Sequence, residues 1–72
     1  MNTDNYNKAL DQLAFYRRMA ALAEEGTPTY SVYIAKLAAG SAILAIAYGK
    51  GSDAVNRDLC KAYDSKYANS AR

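Results

Sequence analysis

Apolar and polar positions alternate at helical spacing along most of the chain, but between residues 27 and 49 the polar positions almost vanish. That stretch, TPTYSVYIAKLAAGSAILAIAYG, carries Lys36 as its only charge. Thr27 is a good N-cap, and Pro28 fits the first helical position, where a missing N–H costs nothing. Gly49 can adopt the left-handed conformation that ends a helix. Alanine and leucine fill the interior and a strand of this length would be unusual, so the pattern predicts a helix over 28–48.

Three parallel seams run along this helix at alternating spacings of four and three. Tyr30, Ile34, Leu37, Ser41, Leu44 and Tyr48 form a seam of large residues. Ser31, Ala35, Ala38, Ala42 and Ala45 form a small one, and Val32, Lys36, Ala39, Ile43 and Ile46 a mixed one. A surface helix of a monomer needs one apolar stripe, whereas this helix needs cover on several sides. The small seam suits the close approach of another helix.

The flanking sequence is amphipathic. Thr3 or Asp4 can cap a first helix over about 4–25, ended by Gly26. Its main stripe is Ala9, Leu13, Tyr16 and Ala20, flanked by Tyr6 and Leu10, while Phe15, Met19 and Leu22 fall on nearly the opposite side. The very short turn to Pro28 predicts an antiparallel hairpin. After Gly49-Lys50-Gly51, Ser52 can cap a third helix over 53–67, with Asp53 placed to complement its dipole. Val55, Leu59, Ala62, Tyr63 and Tyr67 form its stripe, with Cys60 on the edge, and Arg57, Asp58, Lys61 and Asp64 lie opposite. The expected fold is all-α: a single helical domain over 1–72, a three-helix bundle with a central apolar helix. Residues 1–3 and 68–72 are expected to fray.

Length sharpens that expectation. A chain of 72 residues buries only about 60% of the surface it exposes when unfolded, and scaffolds of this size usually need a staple. One cysteine excludes an internal disulfide, and one cysteine without histidine makes zinc a poor fit. Homo-oligomerisation is then the expected staple, with Ala35, Ala38, Ala42 and Ala45 as its interface and Phe15, Met19 and Leu22 as a second contact.

Composition narrows the functions. Without histidine the usual general base is missing, and the carboxylates of the first helix read as solvated charges, so no enzyme is expected. No glycine-rich phosphate loop is present, and no metal or other cofactor is expected. A net charge of +2 is too small to imply nucleic acid by itself. Asp53, Asp58 and Asp64 on the third helix would be repelled by DNA phosphates, which counts against a helix-turn-helix reader. Seven tyrosines against one phenylalanine and no tryptophan are the compositional oddity. Tyrosine suits interfaces where the ring packs and the hydroxyl stays wet. Tyr16 with Arg17 and Arg18, and Tyr63 and Tyr67 with Lys66, are the candidate binding residues.

The expectation is a small non-enzymatic helical binding protein, acting stoichiometrically as inhibitor or adaptor on a protein complex. Such short helical chains are common among accessory proteins of phages and mobile elements. The alternative is an oligomeric nucleotide- or nucleic-acid-binding protein that uses the tyrosine and basic clusters. A holin-like membrane protein is a further alternative, since tyrosines flank the apolar helix like an interfacial belt, though Lys36 lies well inside it. The polar N-terminus lacks the basic-then-apolar order of a secretion signal, so a bacterial or infected-host cytoplasm is expected.

Overall fold

The computed structural model describes residues 3–68, which form three helices: α1 (Thr3–Leu22), α2 (Pro28–Ala47) and α3 (Ser52–Tyr63). A π-helical turn over Asp64–Ala68 continues α3. No strand occurs among the described residues, and the fold is an all-α three-helix bundle. Of the ends expected to fray, residues 1, 2 and 69–72 lie outside the described residues, while residue 3 opens α1.

The breaks follow local chemistry. Thr27 Oγ1 donates to the Glu24 carbonyl at 2.6 Å and accepts from the Tyr30 N–H at 3.3 Å. One side chain thus closes the turn and caps α2. Gly26 takes φ +86°, a region that L side chains rarely adopt. Because the chain turns at Glu24, α1 stops at Leu22, three residues before the expected end. At the far end of α2, Lys50 N–H reaches the Ala45 carbonyl at 2.9 Å and Gly49 N–H the Ile46 carbonyl at 3.4 Å. With Gly49 at φ +63° this is a Schellman motif. The N-cap of α3 is Gly51 and not Ser52, and it makes no side-chain cap bond.

The core lies along α1. Tyr6, Leu10, Leu13 and Ala14 of α1 are buried with Leu44 of α2 and Val55 and Leu59 of α3. The apolar α2, which dominates the sequence, contributes only Leu44 to this buried set. The reason is geometric: α1 packs against both other helices, while α2 and α3 meet each other more lightly. Ala14, outside the expected stripe, is fully buried because α1 must face two neighbours. At the α1–α2 crossing, a Cβ added to Gly40 would collide with Leu13 Cδ2. Glycine lets the two backbones close there.

The outward side of α2 is left uncovered. Ile46 is 83% exposed and Ile43 64%, and Val32 and Ile34 are also exposed. Ser31, Ala35, Ala38 and Ala42 are exposed and Ala45 half-buried, so no helix of the same chain covers the small seam. On α1, Phe15 and Leu22 are exposed while Met19 is half-buried.

Candidate binding surface

Two of the basic residues singled out on α1 meet the aromatic end of α3. The Arg17 guanidinium lies 4.6 Å from the Tyr63 ring centroid, and that of Arg18 lies 5.5 Å from the Tyr67 centroid. Lys66 Nζ sits 5.7 Å from the same Tyr67 ring, and the two tyrosine rings are 5.1 Å apart. Successive residues on a helix point about 100° apart, so neighbours in sequence part company. Tyr16 therefore turns the other way, toward α2, with its ring 6.0 Å from that of Tyr33. Five of the six candidate residues form one cluster, and Tyr16 belongs to another.

Tyr16 and Tyr33 instead hold the one charge of α2. Lys36 Nζ lies 5.4 Å from the Tyr16 centroid and 5.5 Å from that of Tyr33. Such cation–π placement lets an ammonium rest on ring faces while staying wet. The ammonium bends toward α1, and the rest of the exposed α2 surface carries no charge. By length and composition Pro28–Ala47 is apolar enough to cross a membrane.

Arg17 has a second setting that residue types alone did not reveal. Its Nη1 donates to Cys60 Sγ at 3.4 Å, and the guanidinium borders an open groove of about 360 Å³ between α2 and α3. The groove is otherwise uncharged, with Ile34, Leu37, Ala38 and Leu59 among its walls. The only signal for it in the sequence is the placement of Cys60 on the edge of the α3 stripe.

At the opposite end of the bundle, Tyr6, Lys50 and Asp58 form a polar cluster. Tyr6 Oη donates to Asp58 Oδ2 at 2.6 Å, Lys50 Nζ is 3.4 Å from the same oxygen, and Lys50 also lies 4.8 Å from the Tyr6 ring. Tyr48 packs edge-on against Tyr6 at 4.9 Å. Burial, the hydrogen bond and the nearby carboxylate push the Tyr6 phenol up to about 12. A phenol held so firmly protonated is a weak acid with no phenolate at neutral pH, and its hydrogen bond to Asp58 makes the cluster a clasp. The Tyr6 hydrogen bond, with Lys50 behind it, holds the Asp58 carboxyl below its ordinary value despite partial desolvation.

The clasp makes stability depend on pH at both extremes. Unfolded, the phenol ionises around its ordinary 10.0, whereas folded it keeps its proton to about 12. Stability is therefore full below pH 10 and falls as pH rises toward 12, because there the unfolded chain binds fewer protons. Asp58 runs the other way: its contribution is full above the ordinary 3.8 and is lost as pH falls through the lower folded value. Tyr6→Phe should cost about 1.5–3 kcal/mol at neutral pH, as expected for a hydrogen bond to a charged acceptor. It should also flatten both limbs of a urea-midpoint profile against pH. Limbs unchanged by the substitution would assign the dependence to other groups.

Among the described residues no three His, Cys, Asp or Glu side chains converge to hold a metal ion. Comparison with known proteins finds no matching family model and no match among the curated proteins or the solved structures.

Proposed function

We propose that this chain is a small non-enzymatic binding protein that works as a homo-oligomer and acts stoichiometrically on a macromolecular partner, as an inhibitor or adaptor. One observation carries the reading: α2 is apolar on nearly every side, yet only Leu44 of it is buried. Large uncharged patches on soluble proteins mark interaction sites. Lys36, resting against Tyr16 and Tyr33, is the one charge on the exposed α2 surface that a second copy would meet. Ala35, Ala38 and Ala42 let two such helices approach closely, and Ile43 and Ile46 flank them.

A lipid bilayer would also take an apolar helix, but α1 and α3 line the inner side of α2 with Arg17, Arg57, Asp58 and Lys61 among their charges. The packed bundle is unsuited to span a membrane. A bacterial or host cytoplasm fits this reading. Nucleotide or nucleic-acid capture is the second reading, supported by the cluster of Arg17, Arg18, Lys66, Tyr63 and Tyr67. Guanidinium groups already cover ring faces there, which leaves charge for phosphates but less bare ring for base stacking.

Sedimentation without detergent tests the proposal. The chain should run as one discrete species heavier than 7.8 kDa, and Ile43→Glu with Ile46→Glu should reduce it to a monomer of unchanged helicity. A monomeric parent chain, or recovery only from membranes, would refute the assembly. Arg17→Glu with Arg18→Glu should leave the oligomer intact and weaken partner binding. If the same change instead abolishes salt-sensitive oligonucleotide binding, the second reading takes precedence.

A further inference from the structure

We infer that the groove between α2 and α3 receives an amphipathic helix from a protein partner, with an acidic side chain of that helix pairing with Arg17. This rests on the reading of the chain as a binding protein and adds the chemistry of what it binds. The groove walls include Leu37, Ala38 and Ser41 on α2 and Asn56, Leu59 and Cys60 on α3, and Arg17 is the only charge along them. Arg17 is half-buried, rests on Tyr63 and donates to Cys60, and among the described residues no carboxylate pairs with it. A thiol is a weak acceptor and the contact is open to solvent, so most of the five guanidinium donors can exchange water for a carboxylate.

Shape points to a helix and not a small molecule. A second groove of about 450 Å³, between α1 and α2, shares Arg17, Ile34 and Leu37 with the first and extends the path to Tyr30. From Tyr30 to Ser41 is 11 steps along α2 (41 − 30), which at about 1.5 Å each gives about 16 Å, or three helical turns. The path is open along one side, so a small ligand would stay largely wet, whereas binding sites bury most of a small ligand. A helix satisfies its own backbone and needs only one face covered. The short side chains of Ala38, Ser41 and Cys60 leave room for its ridge.

Charge selects the occupant. Arg17, the one cation along the walls, favours an occupant that carries an acidic side chain there. Glu25 stands at the Tyr30 end of the path, so a second acid placed there would be repelled. The groove meets the proposed self-association face only at Ala38, since Ala35, Ala42, Ile43 and Ile46 do not line it.

The probe is a fluorescein-labelled amphipathic helical peptide of about 18 residues, made with Glu, Gln or Lys at one position on the border of its apolar face. Titrated with the full chain by fluorescence anisotropy, the Glu peptide should bind about 10-fold or more tighter than the Lys peptide, a gap of about 1.4 kcal/mol. Arg17→Gln should shrink the gap to about twofold or less, and Asn56→Phe, which fills the groove from the exposed side of α3 and away from the self-association face, should weaken all three peptides. Equal binding of Glu and Lys peptides, no binding of any up to about 100 μM, or indifference to Asn56→Phe would overturn the inference. Sedimentation of the same samples separates the two ideas. An oligomer that ignores the peptides removes only the groove inference, and a monomer that discriminates them removes only the assembly.

Discussion

Leu13→Ala should lower the stability of this protein by about 2–5 kcal/mol, the usual range for deleting a buried leucine. Leu13 is 4% exposed and lies against Gly40 where α1 and α2 come closest. At about 0.05–0.15 kcal/mol per residue, a domain this small has only about 4–11 kcal/mol in total, so the loss is a large fraction of it. Gly40→Ala gives the sharper test because two effects oppose each other. Alanine gains about 1 kcal/mol over glycine inside a helix, whereas overpacking costs about 1–3 kcal/mol. The added methyl collides with Leu13 Cδ2, and Leu13 can yield only by rotating within the core. Gly40→Ala alone should therefore be neutral or destabilising, but in the Leu13→Ala background it should stabilise by about 1 kcal/mol. Urea midpoints at one fixed protein concentration would measure all four corners of this cycle. If Gly40→Ala stabilises equally in both backgrounds, the close crossing does not depend on glycine.

Ala42→Leu should dissociate the proposed oligomer while leaving the single chain folded. Ala42 is exposed on α2, and leucine is nearly as good a helix former as alanine, so the isolated bundle has no reason to suffer. Across a two-fold interface each substitution acts twice. Overpacking of about 1–3 kcal/mol per site becomes about 2–6 kcal/mol, roughly a 30-fold to 10⁴-fold weaker dissociation constant. Ala9→Leu is the control. Ala9 borders an apolar groove of about 220 Å³ beside Gly40 and Ile43, which has room for the added carbons. It should change the mass little. An Ala42→Leu variant that keeps its oligomeric mass and melts no lower would place the interface elsewhere.

Helix identity was legible because it is written in short-range chemistry. Thr27 and Pro28 open α2, and Gly49 closes it, at the positions their backbone preferences require. What was not legible is which helix forms the axis of the core. α2 is so uniformly apolar that its pattern names no inward side, and hydrophobicity alone made it the natural centre. The weaker stripe of α1 holds the core because two helices share it. The Arg17–Tyr63 and Arg18–Tyr67 pairs were half legible: the residue types drew attention, but pairing across two helices has no local signature. Tyr16 shows the cost of reading adjacency as contact, since it sits beside Arg17 in sequence and faces a different helix. The Tyr6–Asp58 clasp was invisible, because Asp58 reads as one more charge on a solvated face.

That clasp also orders events in time. The α1–α2 hairpin closes over a four-residue-scale turn anchored by Thr27, so it can form early and locally. Tyr6 and Asp58 are 52 residues apart, but the returning α2 already sets Tyr48 against Tyr6, so the pair closes when α3 folds back from that end onto the hairpin. Their hydrogen bond follows the hairpin, and the part of the seven-tyrosine signal that Tyr6→Phe removes is a spectroscopic clock for it. Stopped-flow tyrosine fluorescence that lags the gain of helical circular dichroism would time the arrival of α3.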